Sequence, residues 1–465
     1  MPECFYRACS LSGRRRPARS TRARQCRCEL SSNPLPGYSS TARSIMKPTI
    51  RPIKGTRDFY PEDMAFRTWL YGKMKAASQK FGYQEYEAPL LESLELYAAK
   101  SGEELVKEQS FVFNDRGGDQ VTLRPELTPS LARMVAQKQR ELPKPIRWWS
   151  FGPFWRYERP QKGRTREFFQ WNIDLLGSSS PYADAELVAV GAEFFRSVGF
   201  TPQQIVIKVN NRKLMEAQIK ALGVEAVDGV YRLIDKLDKL PVDKWRAYGI
   251  EDIGLSADQI DRLSALLNDA ELWRQSDELT AFFAALDDLG VRDYVEFDPS
   301  VIRGLAYYTG VVFEARDRSG EFRAILGGGR YDNLVADVGG EPLGGIGFAM
   351  GDVVMGLVIE RYGLKPALRS APADVIVTVF DKALMAVSAR VAAQLRSGGV
   401  NTELFPEAAK LDRQLKYANA QAIPVAVIIG PDEAAQDRAT VRDLRSGAQQ
   451  VVAQDQLVAT VKNLL

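Results

Sequence analysis

Residues 154–177 read FWRYERPQKGRTREFFQWNIDLLG, and the reading of this stretch decides the fold. Its pattern predicts two strands joined by a basic loop. Trp155 and Tyr157 fall on one side, Arg156 and Glu158 on the other. In the second segment Phe169, Trp171 and Ile173 oppose Gln170, Asn172 and Asp174. Successive side chains of a strand face opposite ways, so one face of this hairpin is aromatic and fit for a core. The other carries an arginine, a glutamate, two amides and an aspartate. Arg159, Lys162, Arg164 and Arg166 surround Gly163 in the loop. An ordinary antiparallel pair with one wet face would alternate in the same way. Two features point past that reading. The strands are apolar enough to be central, and the polar face is a sorted set of donors and acceptors, suited to a small zwitterion and a phosphate.

The chain has 465 residues, 45% of them hydrophobic, which predicts two or three domains and a large core. No apolar run is long enough to span a membrane, so a soluble protein without a membrane partner is expected. Residues 1–45 stand apart. They hold nine arginines, no lysine and only Glu3 and Glu29 as acids, a net +7 that leaves −4 for the rest of a chain totalling +3. Without an apolar h-region this is not a secretory signal. It reads as a disordered basic extension. Its composition fits an organellar transit peptide, and equally upstream sequence ahead of a start at Met46. The expected location is the cytoplasm, with an organelle as the alternative if the extension is a transit peptide.

All four cysteines, Cys4, Cys9, Cys26 and Cys28, lie in that extension, and the chain contains no histidine. The body therefore has no Ser-His-Asp or Cys-His nucleophilic site, no thiolate or imidazole to hold zinc, and none of the commonest general base. Chemistry in the body has to come from positioning, arginine and lysine charge, carboxylates and a hard, oxygen-bound metal such as Mg²⁺.

Taken in order, the body opens with a polar segment and a helix from Pro61, with Glu62 and Asp63 in its first turn and an apolar face of Phe66, Leu70, Met74, Ala77 and Phe81, closed by Gly82. Residues 83–88 are an extended strand stopped by Pro89, which suits an edge or an interface. Two short strands at 109–124 flank a turn. Glu126 follows, placed to project into a cleft just before a helix whose N-cap is expected at Thr128. After the hairpin come a helix over 182–198 and a strand at 205–209. Residues 211–297 read as an inserted, acidic helical subdomain. Strand character returns over 301–314, where Arg303, Tyr307 and Tyr308 are bracketed by Gly304 and Gly310. GGGRYD at 327–332 and a strand-turn-helix at 344–360 complete the first domain. There is no P-loop and no well-placed dinucleotide fingerprint. Beyond a linker at 365–372, alternating short strands and helices predict a separate α/β domain over 371–465 with a mixed sheet and a binding role.

Together these pieces resemble the histidyl-tRNA synthetases, a family of class II aminoacyl-tRNA synthetases, from about Lys54 to the C-terminus. The strand ending at Pro89 is similar to the family's first motif, FWRYERPQKGRTREFFQ to its second, RGLAYYTGVVFE to its histidine-specific segment and GGGRYD to its glycine-rich stretch. The resemblance implies an α+β fold: an antiparallel-sheet catalytic domain over 46–365 with a helical insertion at about 211–297, plus a C-terminal α/β anticodon-binding domain. It implies a histidine–tRNA ligase working with ATP, Mg²⁺, L-histidine and tRNA(His), as a homodimer. It assigns Arg156 and Arg303 to catalysis, and Glu126, Leu127, Thr128, Gln170, Asp174, Tyr307 and Tyr308 to histidine. Arg156, Glu158, Arg164 and Arg303 are assigned to ATP, and no residue to a protein-held metal. Two positions depart from the family's pattern. Val354 stands where the third motif usually has an arginine that stacks on the ATP base, and Ala306 where aspartate is common. The alternative is a non-catalytic relative such as the regulatory subunit of ATP phosphoribosyltransferase.

Overall fold

The structure, a computed structural model, describes residues 50–98, 108–161, 163–237, 239–302 and 307–465. The basic extension, Lys162, Arg303, Gly304 and Ala306 lie outside them. Everything below belongs to the compact unit Pro52–Leu465.

Its strands, in chain order, begin with β1 Gln84–Glu85, β2 Leu91–Ser93, β3 Phe111–Asn114, β4 Gln120–Leu123, β5 Ile146–Trp155 and β6 Glu167–Leu176. There follow β7 Ile205–Asn211, β8 Val295–Phe297, β9 Val311–Asp317, β10 Leu326–Tyr331 and β11 Gly345–Gly351. The last five are β12 Val375–Val377, β13 Thr402–Leu404, β14 Val425–Ile428, β15 Arg438–Asp443 and β16 Gln449–Ala453. Eight of them form one sheet in the order β1-β5-β6-β11-β10-β9-β7-β8, antiparallel except at its two end pairs. β2, β4 and β3 make a small sheet, and β13-β12-β14-β15-β16 a mixed one.

The helix Pro61–Lys80 starts at the proline, and Gly82 follows it in the left-handed region at φ 76. Its stripe of Leu70, Met74 and Ala77 is buried against the back face of β6. Trp171 there is fully buried, and its indole N–H donates to Ser78 Oγ at 3.1 Å, so the ring's polar atom is satisfied inside the core. The helix Pro181–Val198 covers the same face with Phe194 and Phe195. The alternation expected of residues 169–174 is thus realised: apolar behind, amide and carboxylate in front.

The first half of the hairpin differs from expectation. Its strand runs from Ile146 to Trp155 and stops before Arg156. Tyr157 N bonds to Gln109 O and Glu158 N to Arg156 O, so the backbone leaves the ladder. Tyr157 is exposed, with the Arg166 guanidinium 4.0 Å from its ring centre, rather than in the core. The helix Thr128–Lys138 has Leu127 as its N-cap and no side-chain cap.

Residues 212–288 are helical as expected, but residues 295–297 return to the sheet as β8, parallel to β7. Leu214, Leu263 and Phe282 of this segment share one core cluster with Trp171 and Ile346. Strand β9 begins only at Val311, so Tyr307 and Tyr308 lie in the segment leading into it.

One buried ion pair locks this arrangement. Arg330 on β10 donates from Nε to Asp184 Oδ1 at 3.0 Å and from Nη1 to Ser178 O at 3.1 Å, with both charged side chains under 5% exposed. Burial raises the Asp184 carboxyl to about 6 even against the pull of Arg330. Removing Asp184 leaves the buried Arg330 with only Asp332, 3.3 Å away, and the Ser178 carbonyl, and removing Arg330 leaves Asp184 buried without its cation. Asp184→Ala should therefore cost about 3–5 kcal/mol in urea unfolding, and the paired change Asp184→Leu with Arg330→Met less than either single change. Equal or larger loss in the double variant would show that the pair itself, not the orphaned charge, carries the stability.

Candidate active site

The front face of β6 is the floor of the site. Asp174 stands between Trp148 of β5 and Gly347 of β11, Asn172 between Ser150 and Ala349, and Gln170 between Gly152 and Gly351. Two of these glycines are required by what lies above them. A Cβ on Gly347 would collide with Asp174 Oδ1, and one on Gly152 with Arg124 Nη2.

Asp174 is 3% exposed and accepts the Tyr331 hydroxyl at 2.6 Å. Burial pushes its carboxyl up to about 7, with the Tyr331 bond pulling the other way. Around it four buried polar atoms have no partner among the described residues: Tyr86 Oη, Arg124 Nη2, Ser150 Oγ and Asn172 Nδ2. Tyr86 packs against Trp148 with the rings tilted by 33° and their centres 5.3 Å apart. Arg124 is held by Glu87, by the Ala88 carbonyl at 2.9 Å and by the Pro153 carbonyl at 3.0 Å. Such unpaired groups are costly in a closed core and natural in a pocket that receives a polar ligand.

A second acidic position adjoins the first. Glu126, 5% exposed, accepts the Tyr307 hydroxyl at 3.0 Å. Burial, reinforced by the charge of Glu126, raises the Tyr307 hydroxyl well above its ordinary value. Tyr307 and Tyr308 make an edge-to-face pair 5.0 Å apart. Arg156 completes the ring of groups. Its Nε donates to Pro125 O at 2.9 Å, and its guanidinium stands 5.3 Å from the centre of the Phe168 ring. Burial lowers its pKa, while Glu126 and Glu158 support the charge. Glu158 and Arg164 pair at 2.9 Å. The loop bearing them closes through paired backbone bonds between Gln161 and Arg164, with Gly163 at φ 80.

The structure therefore brings Glu126, Thr128, Arg156, Gln170, Asp174, Tyr307 and Tyr308 to one face, with Glu158 and Arg164 at its edge. Arg303 lies outside the described residues. Leu127 is 1% exposed and packs with Ala88 and Phe154 in a small core of its own, so its side chain supports the wall behind the site. Sequence reasoning missed three contributors. Tyr331 was visible only as part of a glycine-rich run. Arg124 and Tyr86 carry no local pattern that separates them from loop polarity. Asp352 lies two residues before Val354 in the third motif. It accepts Arg57 Nη2 at 2.8 Å and the Phe169 backbone N–H at 3.0 Å, which ties the third motif to the hairpin. Among the described residues no group of three or more Asp, Glu, Cys or His could cage a metal.

With this geometry in view, similarity to known proteins can be stated. The chain matches the family Histidyl-tRNA synthetase over residues 55–352 and the family Anticodon binding domain over residues 374–464. The chloroplastic/mitochondrial histidine–tRNA ligase of Arabidopsis thaliana is 39% identical over 412 residues, 86% of this chain and 84% of that protein. The histidine–tRNA ligase of Haloarcula marismortui is 37% identical over 412 residues, 85% of this chain and 94% of that protein. The crystal structure of histidyl-tRNA synthetase from Nostoc superposes with a TM-score of 0.77 at 26% identity, covering 90% of this chain and 100% of that one. A Bacillus halodurans structure titled ATP phosphoribosyltransferase regulatory subunit/histidyl-tRNA synthetase reaches 0.66 at 22% identity, covering 80% of this chain and 97% of that one, and so shares the fold. By sequence and by fold, this chain belongs to the histidyl-tRNA synthetase family.

Proposed function

We propose that this protein is a histidine–tRNA ligase, which activates L-histidine with ATP and transfers it to tRNA(His), releasing AMP and pyrophosphate. The observation that carries the reading is the placement of Glu126, Arg156 and Asp174 around one floor. In this reading Glu126 and Thr128, with Gln170, take the α-amino group. Asp174 accepts an imidazole N–H, and Tyr307 and Tyr308 close around the ring. Arg156 lies between the substrate carboxylate and the α-phosphate, Arg303 meets charge on the same phosphate, and Glu158 and Arg164 contact ATP.

The carboxylate attacks the α-phosphorus in line, and pyrophosphate leaves. A terminal ribose hydroxyl of tRNA then attacks the activated carbonyl. Neither step needs a protein histidine: fixed guanidinium groups meet charge where it develops, and the floor holds the reacting atoms in line. Mg²⁺ neutralises phosphate charge when bound. It needs no cage of protein ligands, because it commonly rests on substrate phosphates and one or two carboxylates. The pocket's polar groups would be left unpaired by an apolar amino acid, which disfavours such substrates strongly.

The domain over 371–465 binds the anticodon arm, and the catalytic domain spans 46–365. The edge strand β1, followed by Pro89 and the exposed Leu90 and Leu91, is the surface through which two copies pair. No helix among the described residues is long and apolar enough to cross a membrane. The enzyme works in the cytoplasm, or in an organelle if residues 1–45 act as a transit peptide. The regulatory-subunit reading is favoured by one observation, valine at position 354, and the first test below separates the two.

Pyrophosphate exchange into ATP should depend on histidine and on no other amino acid, and Arg156→Ala should lower its rate by roughly 10²–10³-fold. No exchange with any amino acid would favour the regulator. Asp174 carries a second prediction. Its carboxyl is held at about 7 in the folded protein against an ordinary 3.8, so the folded state holds the proton more tightly. Stability is therefore lost as pH rises between those values and stays low above them. Asp174→Asn should be more stable than wild type at pH 8 by up to a few kcal/mol, less so at pH 5, while histidine-dependent exchange collapses. A stability difference that does not change with pH would contradict the buried carboxylate. Finally, removing residues 371–465 should weaken tRNA charging at least tenfold more than adenylate formation. Equal losses in the two would argue against the anticodon role.

A further inference from the structure

The loop of residues 318–325, between β9 and β10, lies at the same end of the sheet as the basic hairpin loop. Leu326 pairs with Met350, and Gly351 with Gln170. The chain entering β10 and the chain leaving β11 therefore meet the sheet beside the start of β6. This loop is fastened along the helix Asp352–Arg361. Arg361 donates to both Glu321 oxygens, at 3.1 Å from Nε and 3.1 Å from Nη2. Phe322 packs on the core cluster that also receives Val354.

Arg323 comes next and is exposed. Among the described residues its guanidinium enters no hydrogen bond or salt bridge. The charges of the hairpin loop reach it. Burial and the like charge of Arg164 lower its pKa, and Glu158 opposes them. Glu158 is already paired with Arg164, so it offers Arg323 little of its charge. Beneath the loop stands Val354, 3.6 Å from where a Cβ on Gly163 would lie. The third-motif helix therefore presents a methyl group, not a cation, to this edge of the site. An arginine crowding another arginine without a counter-ion of its own is unfavourable until an anion arrives, and phosphate is the anion its planar fork suits.

We propose that Arg323 is a further nucleotide-binding residue, whose guanidinium reaches the polyphosphate tail of ATP from the β9–β10 loop and adds to this edge of the site a positive charge that Val354 does not supply. The proposal deepens the ligase reading and rests on it for the identity of the nucleotide. Arg323→Ala should raise KM for ATP in histidine-dependent exchange by 10- to 100-fold and raise KM for pyrophosphate with it. KM for histidine should stay within twofold, and the melting temperature should be unchanged, since the side chain supports nothing. Adding Val354→Arg to Arg323→Ala should recover part of the lost ATP affinity, which a merely structural role would not allow. A KM for ATP within twofold of wild type overturns the proposal. If wild type shows no exchange with histidine, the ligase reading fails on its own. Calorimetric titration of ATP into wild type and Arg323→Ala then still decides the role of Arg323, with equal affinities counting against it.

Discussion

Everything at the site depends on which way β6 faces. Trp171, fully buried and hydrogen-bonded to Ser78, is the side chain that fixes it. Period two leaves no intermediate state: a slip of one residue would drive Gln170, Asn172 and Asp174 into the aromatic core and put Phe169, Trp171 and Ile173 in the cleft. The back-face packing against the helices Pro61–Lys80 and Pro181–Val198 is thus the reason the front face can be polar at all. The same packing sets the spacing of the floor. Gln170, Asn172 and Asp174 are held two residues apart along one rigid strand between β5 and β11, and sites on strands keep their geometry better than sites on loops.

That rigidity carries a cost concentrated in a few groups. Asp174 is a carboxylate buried deeply enough to titrate near neutrality, and four polar atoms on the same floor have no partner among the described residues. A core optimised for stability would have none of these. The ion pair of Arg330 and Asp184, by contrast, is buried and well bonded, and it lies on the neighbouring strand and helix, away from the floor. Buried polarity of the two kinds has opposite meaning. The satisfied pair fixes the relation of β10 to the helix Pro181–Val198, and the unsatisfied set leaves capacity for a ligand.

Much of this was legible in the sequence where a period was long and clean. Residues 169–174 alternate without a break, and the structure follows them residue for residue. The stretch before them misled, because Trp155, Arg156, Tyr157 and Glu158 alternate just as well although the chain leaves the ladder after Trp155. The cause is tertiary: Tyr157 N bonds to Gln109 O on a distant segment, and nothing local announces it. Thr128-Pro129 carried the letters of a helix cap, yet Leu127 holds the N-cap position and no side chain caps the helix. Tyr331, Arg124 and Tyr86 escaped notice because each acts across strands distant in sequence, and a single chain shows no such pairing.

The absence of histidine gives these placements their chemical meaning. A site without imidazole or thiolate lacks the commonest proton shuttles, and in the proposed reaction charge moves between oxygens and phosphorus, where the protein only has to meet it. Arginine suits that work because it stays charged wherever it is put. Burial lowers the pKa of Arg156 without bringing it into play as an acid, and Glu126 and Glu158 keep its charge favourable. The group that does titrate near neutrality is Asp174, at the inner end of the pocket, where it would meet a side chain and not the reacting phosphate. On the proposed reading, selection of the amino acid and activation of its carboxylate fall to different residues, and the carboxyl raised toward neutrality belongs to the first.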